Sequence, residues 1–164
     1  EYAVEQLYRD NRLNPIHEGT HGIQALDLLG RKVTMQGGAG LALLAATVGG
    51  TVERARKEHD GYATALAAAV ERVVEVTQAL WGTGDPALAL ANASVYLEAV
   101  GHVVVAWVWL EQLLAADGKE GDFYDGKRAA AEYFFTWELP RTGPQLDLLA
   151  SLNRTTLDMK DQWF

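Results

Sequence analysis

The chain has 164 residues, 49% of them apolar, which is enough to bury the core of one globular domain. Its formal net charge of −8 argues against binding to DNA, because that role needs a basic surface. The sequence has no cysteine, which excludes a disulfide framework and thiolate chemistry and fits a cytoplasmic protein, and no signal peptide is visible.

A first helix is predicted over residues 2–13, where apolar residues share one face. Within it, Glu5 and Arg9 stand one turn apart and are spaced to form an ion pair. A second helix is predicted over residues 19–34, where apolar residues recur every three or four positions. Between the two helices Asn14-Pro15 predicts a turn, because proline pushes the residue before it out of the helical region.

The stretch His17-Glu18-Gly19-Thr20-His21 supports two interpretations, and Glu18 is central to both. The letters fit H-E-x-x-H, in which two histidines one turn apart on a helix bind zinc and the glutamate is the general base. That site needs a continuous helix, which Pro15, Gly19 and Gly22 disfavour. In the other interpretation Glu18 emerges from a loop at the start of a helix, whose first amides can bind an anion such as pyrophosphate.

Two segments in this region resemble the acyl-CoA dehydrogenases. The residues from Glu1 to Asp10 are similar to the family's E-Y-P-V-E-x-x-x-R-D segment. The residues from His17 to Gln24 are similar to its Y-E-G-T-x-x-I-Q segment at the same spacing, with a histidine where the family has an aromatic residue. The continuation after Gln24 resembles a subgroup with an extra C-terminal helical domain, to which the methylmercaptopropionyl-CoA dehydrogenases belong.

The resemblance implies a FAD-dependent enzyme that dehydrogenates the α,β-carbons of an acyl-CoA thioester. It assigns abstraction of the α-proton to Glu18 and places Thr20 and Gln24 beside the FAD. It also implies an electron-transfer flavoprotein as electron acceptor and a homo-oligomer. Because the first residues already belong to a family motif, we expect the chain to be the C-terminal piece of a longer protein and to be inactive alone.

Further helices follow, separated by turns that contain glycine or proline. Their predicted ranges are 39–58, 62–81, 86–117, 123–139 and 144–158. The glycine-rich residues 37–40 are interpreted as a linker, and His59 as a solvent-exposed cap. Asp85 followed by Pro86 is typical of a helix start, with a capping side chain and a proline in the first turn.

The predicted helix over residues 86–117 is the most apolar one and is expected to be the central helix of a bundle. Asn92, Ser94, Glu98 and His102 interrupt it too often for a membrane span. Glu98 and His102 are spaced one turn apart, which favours a buried polar pair over a ligand-binding role.

No alternation of polar and apolar residues persists, so no strand is predicted. We therefore expect an all-α fold, an antiparallel up-and-down helical bundle with short loops. Residues 1–33 are expected to complete a flavin domain, and residues 34–164 to form an appended bundle. The alternatives to the dehydrogenase are a zinc hydrolase using His17, Glu18 and His21, and a non-catalytic helical module for oligomerisation. Neither nucleic acid nor a membrane is an expected partner.

Overall fold

The structure, a computed structural model, describes residues 4–14, 16 and 20–163, and it contains no strand in those ranges. The α-helices are α1 (Val4–Asn11), α2 (Thr20–Asp27), α3 (Ala39–Ala55), α4 (Asp60–Gly82), α5 (Pro86–Leu90), α6 (Ala93–Ala116), α7 (Asp122–Tyr133) and α8 (Thr142–Ala150). Two π-helical turns (Leu28–Lys32 and Phe134–Glu138) and three 3₁₀ turns (Met35–Gly38, Leu139–Arg141 and Asp161–Trp163) complete the chain. The prediction of an all-α bundle is confirmed.

The central helix is α6, which packs against α2, α3, α4, α7 and α8. Its buried residues include both small and large side chains, so neighbouring helices can approach on several sides. Fully buried examples are Tyr96, Ala99, Ala106 and Leu110. The Tyr96 hydroxyl and the Thr77 hydroxyl of α4 lie 2.6 Å apart and share a hydrogen bond. Burial raises the pKa of Tyr96 above its ordinary value, so the hydroxyl stays neutral in the core.

The prediction of one helix over residues 86–117 is wrong, because the helix breaks between α5 and α6. The Asn92 side chain donates to the carbonyl of Asn153 at 2.8 Å. The Thr156 hydroxyl donates to the carbonyl of Ala91, also at 2.8 Å. The C-terminal segment thus binds the two residues at the break. These contacts join residues more than 60 positions apart, so local sequence patterns do not predict them. The predicted start of α5 is confirmed, since Asp85 accepts hydrogen bonds from the amides of its first turn.

The predicted helix over residues 123–139 also differs, because α7 gives way to the π-helical turn at Phe134. The chain then passes through Pro140 in a 3₁₀ turn directly into α8. The last helix ends at Ala150 rather than at residue 158. Leu152 follows it with a φ of 54°, a left-handed conformation that terminates the helix.

His59 does occupy a cap position, at the start of α4, but the interpretation of its side chain as solvent-exposed is wrong. Its side chain is only 15% exposed, and its Nε2 lies 2.9 Å from a carboxylate oxygen of Asp117. The contact joins the turn before α4 to the end of α6. The two residues are 58 positions apart, so only the folded chain brings them together.

The chain reverses its direction before α3, at Gln36 and the first residues of the predicted linker. Gln36, Gly37 and Gly38 have φ values of 51°, 68° and 90°, all in the left-handed region. Glycine adopts this conformation without a Cβ clash, so two of the three positions carry little strain. The reversal brings the start of α3 back against the segment after α2.

The two N-terminal helices differ in how far they join the core. α1 has no buried residue, although the predicted ion pair between Glu5 and Arg9 is confirmed. In contrast, α2 inserts Ala25 into the core with no exposed surface. Leu29, in the π-helical turn, is also fully buried, and its carbonyl accepts a hydrogen bond from the Trp81 indole at 3.2 Å.

By length and composition alone, two helical segments are apolar enough to cross a membrane: Met35–Ala55 and Ala93–Ala116. The core helices of globular proteins pass the same test. One third of the most apolar window of α6 is buried, and five other helices pack on it.

A polar network joins α3 to α6 beside the core. The Thr51 hydroxyl donates to a carboxylate oxygen of Glu111 at 2.5 Å, and the Trp107 indole donates to the same hydroxyl at 2.8 Å. Arg54 forms an ion pair with Glu111. The hydrogen bond from Thr51 is the main reason that the pKa of Glu111 lies below its ordinary value, and Arg54 adds to the effect.

Asp85→Ala is expected to lower the free energy of unfolding by about 1 kcal/mol, because two first-turn amides of α5 lose their acceptor. Urea unfolding followed by circular dichroism measures the difference. Glu120→Ala, an exposed loop substitution, serves as the control and should change stability by less than about 0.5 kcal/mol. Equal effects of the two substitutions would contradict the capping role.

The stability contributed by Glu111 should depend on pH. Its folded-state pKa is lowered, so its contribution is present above the ordinary value of 4.5 and is lost as pH falls through the folded-state pKa. At neutral pH we expect the wild-type protein to have a higher melting temperature than Glu111→Gln. The difference in melting temperature should become smaller below about pH 4. Thermal melts between neutral and acid pH measure this difference, with Glu120→Gln as the control. A difference in melting temperature that does not change with pH would refute the stabilising role of the Glu111 carboxylate.

Candidate functional site

The described part of the predicted site begins at the first residue of α2, Thr20. Glu18 and His17 lie outside the described residues. Thr20 has a φ of 48°, a left-handed conformation that is rare for a β-branched residue. A right-handed helix that ran unbroken through His21 could not contain such a residue. The continuous helix that the H-E-x-x-H zinc motif needs is therefore interrupted at Thr20.

Thr20 and Gln24 are both exposed residues of α2, four positions apart. Ile23 lies between them and is 62% exposed. The buried side of the helix carries Ala25, and Leu29 continues it in the next turn; both are fully buried. Core packing therefore fixes which side of α2 points inward, and both residues that the resemblance places beside FAD are exposed.

His21 points to a different surface, a groove of about 570 Å³ between α2, α6 and the π-helical turn after α7. The walls are mainly apolar and include Val105 and Phe134. Glu98 and His102 supply the polar groups of α6 that line it. A groove of this size lies within the range of sites for small molecules or for a segment of another chain.

The predicted side-chain pair between Glu98 and His102 is wrong. The His102 Nδ1 lies 2.9 Å from the backbone carbonyl of Glu98, and since a carbonyl only accepts, Nδ1 carries the proton. The Nε2 lies 3.7 Å from a carboxylate oxygen of Glu138, which also accepts a hydrogen bond from Arg141 at 2.8 Å. That hydrogen bond lowers the pKa of Glu138, and His102 contributes less. The spacing of Glu138 and Arg141, three positions apart, could have indicated their ion pair from the sequence. The contact of Glu138 with His102 of α6 could not be read from the sequence, because the two residues are far apart in the chain.

Among the described residues, no group of three histidine or carboxylate side chains is arranged to hold a metal ion. His17 and Glu18 lie outside the described residues, so this absence does not decide the zinc interpretation. The left-handed conformation of Thr20 argues against the zinc interpretation, because Thr20 lies between Glu18 and His21 in the motif.

Residues 44–160 match the family described as "Acetyl-CoA dehydrogenase C-terminal like". The chain belongs to this family. The match covers most of the bundle, from within α3 to the C-terminal segment. It confirms the resemblance to the C-terminal portion of acyl-CoA dehydrogenases that was noted on the first residues of the sequence.

Three relatives illustrate the family. The 3-methylmercaptopropionyl-CoA dehydrogenase of Ruegeria pomeroyi is 34% identical, over 82% of this chain and 24% of its own length. The broad-specificity linear acyl-CoA dehydrogenase FadE5 of Mycobacterium tuberculosis is 25% identical, over the whole chain and 30% of its own length. A butyryl-CoA dehydrogenase of Syntrophomonas wolfei is 26% identical, over 99% of the chain and 28% of its own length. The chain thus spans less than a third of each relative.

Thr20→Gly should stabilise this acyl-CoA dehydrogenase domain. Removing the Cβ relieves a left-handed conformation that costs a non-glycine residue about 1–2 kcal/mol, and the added flexibility of glycine offsets part of the gain. We expect a net gain of about 0.5–1 kcal/mol in urea unfolding. Thr47→Gly in the interior of α3 is the matched control and should be destabilising. If both substitutions destabilise equally, Thr20 is not left-handed in solution.

Proposed function

We propose that this chain is the C-terminal portion of a FAD-dependent acyl-CoA dehydrogenase, in which Glu18 removes the α-proton of an acyl-CoA thioester. Membership of the family carries the proposal. Three further observations support it. The E-G-T and I-Q letters occur at the family spacing. The three relatives described above are all named as dehydrogenases of acyl-CoA compounds. Both predicted FAD residues are exposed on α2.

Glu18 suits the reaction because the α-carbon of a thioester is weakly acidic and a single carboxylate can accept its proton. A positioned base typically contributes about 10²–10⁴-fold to the rate. Burial beside a bound acyl chain would raise the pKa of this carboxyl toward the working pH. When bound, FAD supplies the hydride acceptor for the β-carbon.

The exposed face of α2 fits the role of holding FAD. The Thr20 hydroxyl and the Gln24 amide can each donate a hydrogen bond to the polar edge of a flavin ring. Ile23 between them offers an apolar surface for the ring itself. Thr20 is held in a strained conformation at the start of this face, and such strain is often found at functional sites.

The remaining surfaces of the proposed enzyme would come from sequence that this chain does not include, because the chain spans at most 30% of its relatives. We propose that residues 1–33 complete the flavin domain and that residues 34–164 form the appended bundle. The exposed apolar residues Val4, Leu7 and Tyr8 of α1 would then pack on that domain. The isolated chain would be inactive.

The same proposal includes a homo-oligomer in the cytoplasm that passes electrons to an electron-transfer flavoprotein. The two alternative functions make different predictions. A zinc hydrolase would contain stoichiometric zinc, which metal analysis of the purified protein measures. A helical oligomerisation module would be oligomeric as the 164-residue chain alone, which size-exclusion chromatography with light scattering measures.

Glu18→Gln in the full-length protein should lower dehydrogenation of acyl-CoA by about 10²–10⁴-fold, since glutamine cannot accept the α-proton. Turnover is measured with an artificial electron acceptor, and flavin absorbance is measured in the same preparations. Bound FAD should be unchanged in Glu18→Gln and reduced in Gln24→Ala.

Glu5→Gln is the matched control, because Glu5 is an exposed residue of α1 that pairs with Arg9. It should retain wild-type turnover. Full turnover by Glu18→Gln would exclude this residue as the base, whatever the FAD content.

A further inference from the structure

A second cavity, separate from the groove beside His21, lies between α3, α6 and the segment that follows α2. Its volume is about 370 Å³, within the range of small-molecule sites. Apart from Lys32 and Gln36, the wall is apolar, and the hydroxyl of Tyr96 in this wall is already bonded to Thr77. Leu28, Leu44 and Val100 are typical of this wall. Such a lining excludes a sugar or another strongly polar ligand from the interior.

The cavity shares part of its wall with a second, much smaller space. Leu41, Leu44 and Val100 line both the cavity and a second space of about 10 Å³ between α3, α4 and α6. Every side chain around that space is aliphatic, so a water molecule there would find no hydrogen-bond partner. The wall that the two spaces share is therefore suited to an apolar part of a ligand, such as a hydrocarbon chain.

The mouth of the cavity has a different character. Lys32 lines it and is exposed, and it makes no ion pair within 4.0 Å among the described carboxylates. Its nearest acidic neighbour in sequence, Asp27, is already bound by Arg31 at 2.5 Å, although the Lys32 charge still contributes to the lowered pKa of Asp27. A lysine in this position can lay its methylene stem on the wall and keep its ammonium group in water.

The backbone holds this mouth in place. The left-handed run from Gln36 to Gly38 turns the chain so that the start of α3 meets the Lys32 segment. A Cβ at Gly40 would lie 3.4 Å from the Lys32 carbonyl, so the two segments are in close contact. Gln36 lines the mouth as well, and its amide is a second polar group beside Lys32.

We propose that this cavity binds a linear acyl chain that carries one anionic head group, with the chain along Leu41 and Leu44 and the head group at Lys32. Lys32 supports the anionic head group, because it is exposed at the edge of an apolar cavity and makes no ion pair within 4.0 Å among the described carboxylates. The site is independent of the proposed function, since it uses none of the residues assigned to catalysis or to FAD. The same chemistry occurs in a free fatty acid and in a lysophospholipid with a phosphate head group.

The test uses the 164-residue chain and the fluorescent probe 11-(dansylamino)undecanoic acid, displaced by unlabelled ligands below their micelle concentrations. Dodecanoate should displace the probe better than dodecanol, and affinity should rise about fourfold for each methylene until the cavity is full. Dodecanoyl lysophosphatidate is the second arm. If it competes far better than dodecanoate, the source is a lysolipid, and if it competes worse, the source is a free fatty acid.

Lys32→Glu should weaken dodecanoate binding by about threefold to tenfold and leave dodecanol unchanged, because only the charged head group contacts this position. Lys57→Glu, at an exposed lysine outside the cavity lining, is the matched charge control and should change neither ligand. Equal affinity for acid and alcohol, unaltered by Lys32→Glu, would overturn the assignment of the head group.

Leu41→Trp should abolish binding of both ligands by filling the cavity, whereas Leu43→Trp on the exposed side of the same helix should not. Circular dichroism and thermal melts check that each variant folds. If Leu41→Trp does not fold, the comparison at Lys32 still decides the proposal. Absence of saturable probe binding, or binding only to phosphatidylglycerol vesicles and not to monomeric acyl chains, would refute it.

Discussion

The rest of the structure depends on how α6 is packed. Five helices contact it, so its side chains must satisfy several packing surfaces at once. Ala99 and Ala106 allow close approach where a neighbouring helix crosses, and Tyr96 and Leu110 fill the wider spaces. Two of its polar side chains have partners on other helices, since Tyr96 bonds to Thr77 and Glu111 to Thr51. The central helix therefore fixes the positions of the elements that surround it.

That constraint extends to the candidate site through α2. Because Ala25 and Leu29 are fully buried, α2 cannot rotate without exposing them to water, and Thr20 and Gln24 are held outward. The indole of Trp81 adds a fixed point by binding the Leu29 carbonyl. The segment that follows has a second consequence, since it forms the mouth of the acyl-chain cavity that we propose. Core packing thus positions two surfaces of different chemistry, one proposed for a cofactor and one for an amphipathic anion.

Much of the fold was predictable because it follows from interactions between residues close in sequence. Apolar spacing located the long helices, Asp85 capped α5 as expected, and Glu5 paired with Arg9. The family was also readable locally, because its motif is a short run of letters around Glu18. The roles of Glu18, Thr20 and Gln24 remain predictions, although the structure shows that the last two are exposed.

Contacts between distant residues decided what the sequence did not reveal. The break before α6 depends on Asn153 and Thr156, the environment of His59 on Asp117, and the partner of His102 on Glu138. The proposed acyl-chain cavity likewise combines walls from α3, α6 and the turn after α2. Sequence by itself determined the helices and the family, because periodicity and motifs act over a few residues. Tertiary structure alone decided the breaks, the polar partners and the cavity, because each needs segments that only packing brings together.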